Sequence, residues 1–204
     1  MNNKQADLIK ELSDDVLLMN VWLTQGIVLA VALVLNLILF DSFGDFFRLF
    51  DWHDSRILLV GGGVGVLVVA LDWLMMKIVP PRYYDDGGIN ERIFSSSSYG
   101  QILILTAAVS VCEELLFRGA IQTHTNLWVA SIIFALVHYR YLFHPYLFIN
   151  VMVLSLLFGW IFEQSGNLLV TIAMHFVIDL LLGLYIKRKA VKTTSRTDDY
   201  CGSE

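Results

Sequence analysis

Residues 16–40 run without a single Asp, Glu, Lys or Arg. A helix needs roughly 20 mainly apolar residues to cross about 30 Å of hydrocarbon, and this run is long enough. Five further segments have the same character: 57–79, 101–122, a stretch from 126 past 138, 145–162 and 167–186. The whole chain agrees with them. Of its 204 residues 56% are hydrophobic and 16% are charged, against about 45–50% and about 25% in a soluble domain. The expected fold is all-α, a polytopic membrane protein of about six transmembrane helices.

Three regions follow. Residues 1–100 form an N-terminal two-span membrane region with an interfacial linker, 101–186 a membrane core, and 187–204 a polar tail. The linker is marked by Pro80-Pro81, Gly87-Gly88 and the serines at 95–98, which are breaker and turn signals. In the second span, Gly61 and Gly65 make a small-xxx-small face suited to close helix packing. No Lys-Ser or Lys-Thr follows those glycines, so a phosphate loop is not indicated. Two cysteines, one in an apolar run and one in the tail, do not make a disulfide framework.

Six spans place both termini on one side. Of the 14 Lys and Arg, that side holds Lys4, Lys10, Lys77, Arg82, Arg92, Arg140 and the five in the tail. Arg48 and Arg56 fall opposite, and Arg118 lies within the membrane. By the positive-inside rule both termini are cytoplasmic. The expected location is integral to a bacterial plasma membrane, with the lipid bilayer as a partner and no nucleic acid.

Ionisable residues within such spans are costly, roughly 2.5–3.5 kcal/mol each at a helix centre. The chain nevertheless places Glu113, Glu114 and Arg118 in its third span, His138 in the fourth, and His175 and Asp179 in the sixth. Depth can be measured from the turns near 124 and 165. At 1.5 Å per residue, Glu113 lies roughly 17 Å in, His138 roughly 20 Å, His175 roughly 15 Å and Asp179 roughly 21 Å. Four polar residues from three helices therefore share one layer. Spacing also sets facing: Glu114 and Arg118 are one turn apart, as are His175 and Asp179. Glu113 is about 100° around the helix from Glu114. The simplest assignment pairs Glu114 with Arg118 as structural support and leaves Glu113 for His138 and His175. His53, His124 and His144 fall in loops or span ends and are read as interfacial. The set permits general-base hydrolysis of a carbonyl compound. It also permits a divalent metal such as zinc, with Glu113, His138 and His175 as ligands.

Glu113-Glu114-xxx-Arg118, then Phe134-xxx-His138, then His175-xxx-Asp179 resemble the three motifs of the CPBP intramembrane proteases. This family, also called Abi, includes type II CAAX prenyl endopeptidases and bacteriocin-processing or immunity-related proteins. The resemblance covers about 101–182. It implies a CPBP-type catalytic helix bundle that cleaves peptide bonds of a peptide or protein, membrane-anchored in some members. Glu113 would activate water, His138 would orient it, and the last motif would stabilise the oxyanion. Phe134 and the Glu114–Arg118 pair would support the site. No metal or other cofactor is favoured. The family's last motif usually ends in Asn; Asp179 stands there instead, and since an ionised Asp would repel an oxyanion it must be protonated, orient His175, or reflect a different electrostatics of the site. Two other functions use the same residues: a proton-coupled transporter with a titratable relay, and a non-catalytic immunity or scaffold protein on this fold.

Overall fold

The computed structural model describes residues 11–84, 86–142 and 144–201, apart from the side chains of Pro81 and residues 193–201. Lys4, Lys10 and residues 202–204 lie outside the described residues, as does the Arg196 side chain. All regular structure among the described residues is helical.

Helix α1 (Asp14–Leu39) starts where Ser13 accepts a hydrogen bond from the Val16 amide, and Asp14 and Asp15 occupy its first turn. Acidic residues there offset the positive end of the helix dipole. At 26 residues it is about 39 Å long. Its buried positions, Leu17, Gln25, Ala32 and Asn36, form a narrow seam, while Leu23, Ile27, Val31, Val34 and Ile38 are exposed. With no aqueous reason to expose so many apolar side chains, that outer surface is suited to lipid. After the short α2 (Phe43–Phe47) comes α3 (Ile57–Ile78), whose first turns are wound as a π-helix. Short helices α4 (Pro81–Tyr84) and α5 (Ile89–Ser96) make the linker.

Helix α6 (Tyr99–Gln122) opens on a capping box in which Ser98 and Gln101 each satisfy the other's backbone amide. It closes in a π-helical segment, Leu115–Gln122. Helix α7 (Leu127–Val137) is capped by Asn126. Helix α8 (Pro145–Ser165) has Pro145 in its first turn and Gly166 at its end in the left-handed conformation, φ 61°. Helix α9 (Leu168–Cys201) runs on beyond the sixth apolar segment into the basic tail. There the Lys187 ammonium donates to the Ser95 carbonyl at 2.7 Å and ties α9 to α5.

Five helices, α1, α3, α6, α8 and α9, are long and apolar enough to cross a membrane. The fourth expected span is shorter than its sequence suggests. Helix α7 has 11 residues, about 16 Å, roughly half a hydrocarbon core. The reason is local. His138 leaves the helix at φ −83°, ψ 42°, and its Nδ1 takes the Phe134 carbonyl at 2.8 Å. A side chain thus satisfies a carbonyl that the next turn would have used. A single 3₁₀ turn, Tyr139–Tyr141, follows.

Helix α9 is the centre of the bundle, packed on α3, α5, α6 and α8. The Gly61/Gly65 face lies directly on it. A Cβ at Gly61 would stand 2.6 Å from the Val170 carbonyl oxygen, and one at Gly65 3.0 Å from Val177. The glycines thus allow backbone-to-backbone approach that a side chain would block. On the side opposite the tail, Arg56 donates to the carbonyls of Gln164 and Ser165 at 3.1 and 2.9 Å. Asn167 donates to the Asp51 carbonyl at 2.8 Å and to Asp54 at 3.2 Å. These bonds fix the α8–α9 turn to the loop before α3.

Candidate active site

Two adjacent glutamates at the end of the α-helical part of α6 face different surroundings. Glu114 turns towards α9 and is buried. Its Oε1 lies 3.2 Å from His175 Nδ1 and its Oε2 lies 3.6 Å from Arg118 Nε. The second distance is an ion pair rather than a hydrogen bond. Arg118 is enclosed completely. Its Nη1 donates to Gln122 Oε1 at 3.0 Å and its Nη2 to Ser155 Oγ at 2.8 Å. Its guanidinium stands 5.9 Å from the centre of the Phe134 ring. Gly159 makes room for this group: a Cβ there would lie 2.2 Å from Leu127, 2.7 Å from Gln122 and 2.9 Å from Arg118 Nη1. The Gln122 amide completes the knot by donating to the Gly159 carbonyl at 2.9 Å.

Glu113 is only part-buried and turns the other way, towards α1. Gln25 Nε2 donates to its Oε1 at 3.2 Å. Both glutamates line a cavity of about 240 Å³, shared with Phe134 and His138 of the α7 end and with His175 and Asp179 of α9. That volume holds a reacting water, about 30 Å³, beside a substrate group. Asn90 and Arg140 add hydrogen-bond donors to the wall.

His138 is oriented by its own helix. A carbonyl only accepts, so Nδ1 carries the proton in the bond to Phe134 and Nε2 of the neutral ring is an acceptor. Phe134 also packs its ring on the imidazole, 4.5 Å between centroids. His175 is held from both sides, by Glu114 at Nδ1 and by Asp179 Oδ2 at 3.5 Å from Nε2. Phe158 meets it edge-on at 5.2 Å.

The layer inferred from depth is therefore a real cavity that collects Glu113, His138, His175 and Asp179. Arg118 is absent from its wall and sits behind it. The division of labour between the glutamates differs from the sequence expectation. Glu114 does not serve Arg118 alone; it bridges Arg118 and His175. Glu113 takes its hydrogen bond from α1 and not from either histidine. The cause is azimuth: Glu114 is the one of the pair that faces α9, and the offset of about 100° carries Glu113 towards α1. Gln25, Ser155 and Gln122 were not singled out from the sequence. Their signal is an amide or hydroxyl within an apolar run, which is worth reading because a polar group in hydrocarbon needs a partner.

Among the described residues no three His, Cys, Asp or Glu side chains are grouped as ligands of one metal ion. One nitrogen of His138 is engaged by a carbonyl and both nitrogens of His175 face carboxylates. A ring nitrogen held by a carbonyl or carboxylate is also how metal-ligating histidines are oriented; no step below is routed through a metal.

A family model for the type II CAAX prenyl endopeptidase Rce1-like proteins matches residues 95–181. This segment runs from α5 into α9 and contains every motif residue of the cavity. The chain is also 41% identical over 170 residues to the uncharacterized protein YpbD of Bacillus subtilis (strain 168), covering 83% of this chain and 90% of that protein. The chain belongs to the CPBP, CAAX-protease family. No solved structure matches it significantly. Family membership and five helices long and apolar enough to cross a membrane make it an integral membrane protein of the intramembrane endopeptidase type, acting on a peptide or protein.

Proposed function

We propose that this chain hydrolyses peptide bonds of a membrane-associated peptide or protein by a glutamate-activated water, with Glu113 as general base. The observation that carries the reading is the convergence of Glu113, His138 and the His175–Asp179 pair on one cavity from three helices. Gln25 occupies one oxygen of Glu113, which leaves Oε2 for the water. His138 Nε2 accepts the water's second hydrogen and fixes its lone pair towards the scissile carbonyl. As the water oxygen bonds to the carbonyl carbon, its first proton passes to Glu113. When the tetrahedral intermediate collapses, Glu113 returns that proton to the departing amine nitrogen.

Asp179 acts on this reading through His175. On this reading the ring, with Glu114 accepting from Nδ1 and the Asp179 carboxylate 3.5 Å from Nε2, carries positive charge beside the cavity. That charge favours the developing oxyanion, and it offsets the repulsion an ionised Asp179 would otherwise exert. Glu114 and Arg118 hold the ring from behind. The termini are assigned to the cytoplasmic side from the distribution of Lys and Arg.

The test is turnover of a peptide library by the purified protein in detergent. Cleavage is expected in wild type and lost in Glu113→Gln, with the unfolding temperature unchanged and with chelators without effect. Equal turnover by a folded Glu113→Gln protein overturns the assignment.

A further inference from the structure

Helix α1 lies outside the segment that the family matches, yet it reaches the candidate base. Gln25 sits in the middle of the charge-free run and is 6% exposed. An amide buried in apolar surroundings costs free energy unless it is bonded. The nitrogen of Gln25 makes its bond across helices to Glu113 at 3.2 Å, while its Oε1 is buried with no partner. The direction of the amide is therefore set by Glu113 alone. An ionised carboxylate only accepts, so the NH₂ end must face it, and the orphaned oxygen is the cost. The other amide of the same seam behaves differently: Asn36 donates to backbone carbonyls, Ala32 at 2.7 Å and Leu115 at 3.4 Å.

Among the described residues, Gln25 is the hydrogen-bond donor that Glu113 has. The terminal torsion of a glutamate is broad, and one fixed donor removes that freedom. We propose that Gln25 is a positioning residue for Glu113: its Nε2–H pins Oε1 and directs Oε2 at the reacting water. This rests on the reading that Glu113 is the base. It assigns to the N-terminal two-span region a part in the chemistry that the motif residues do not reveal.

The experiment compares wild type with Gln25→Met, which conserves volume and cannot donate. A hydrogen bond to a charged group is worth about tenfold or more in rate when it orients the reacting group. Gln25→Met should lower kcat about tenfold with KM within about twofold. If Gln25→Met does not fold, Gln25→Asn, whose amide is one methylene short, takes its place in the comparison. A contact that merely holds α1 to α6 would lower the unfolding temperature and leave kcat alone, and that result overturns the proposal. A rise in KM without loss of kcat overturns it too. A readout independent of activity is the infrared carboxylate band that Glu113→Gln removes. That band should shift in Gln25→Met, and an unmoved band overturns the contact. If Glu113→Gln abolishes cleavage while Gln25→Met cleaves normally, the inference about Gln25 fails and the assignment of Glu113 stands. If Glu113→Gln cleaves normally, that assignment fails, and the band alone decides whether Gln25 holds the carboxylate.

Discussion

The knot around Arg118 and the cavity beside Glu113 share a helix and are separated by little more than one turn. They use the same kinds of residue and treat them in opposite ways. In the knot, Arg118 and Glu114 are 0% and 1% exposed, neutral groups from α6 and α8 accept from Nη1 and Nη2, and Nε faces Glu114 Oε2 at 3.6 Å as an ion pair without a hydrogen bond. Among the described residues around the cavity, Asp179 is 31% exposed, Glu113 has a single donor, and His138 keeps one nitrogen open. Buried charge is tolerated where an opposite charge stands beside it, and breaking such a pair is costly. An opening onto the cavity is what leaves a group free to bind water and move a proton. The difference separates a scaffold from a reactive centre within one short stretch.

Substitutions can break this comparison in a graded order. Glu113→Gln should have the largest effect on the cavity side, about 10²–10⁴-fold in kcat, with thermal unfolding in detergent unchanged. Arg118→Met should act in the opposite sense. It leaves Glu114 buried without its cation, costs about 3–5 kcal/mol, and should show as loss of folded protein before any kinetic change. A fully stable Arg118→Met protein would mean that the knot is not the scaffold. Asp179→Asn restores the side chain usual in the family. It removes one carboxylate from His175 while keeping a hydrogen-bonding group, so its effect on kcat should be within about tenfold, and the stability of the bundle should not move.

The smallest effect lies at the opposite end of the molecule. Hydrogen bonds from the Arg56 side chain and amide pull Asp54 from 3.8 down to about 2. A carboxyl lowered on folding stabilises the protein above its unfolded value and loses that contribution as pH falls through the folded value. The gap in unfolding temperature between wild type and Asp54→Asn should be full above pH 3.8 and close as pH approaches about 2. A gap that persists below that range would remove the ion pair with Arg56 from the account.

Much of the fold was legible in the sequence because lipid imposes a length on every crossing helix. Segments such as 16–40 and 101–122 could be read directly, and Gly61 and Gly65 announced a close packing face that α9 occupies. The layer of Glu113, His138, His175 and Asp179 was also legible, since depth along a helix is only a count of residues. The early end of α7 was harder to see. It depends on one imidazole turning back to the Phe134 carbonyl, and an apolar run carries no mark of that choice. The π-helical segments of α3 and α6 left no sequence signal either.

What the sequence determined alone is therefore the position of the five long apolar helices and the depth of each ionisable group, because these follow from hydrophobic length and the rise of a helix. What only the tertiary structure decided is which neighbour each group meets. Glu114 reaches His175, Glu113 reaches Gln25, and Arg118 fits only because residue 159 is glycine. Those outcomes depend on the rotation of each helix about its axis and on which helices touch. Packing sets both, and residues far apart in the chain set the packing.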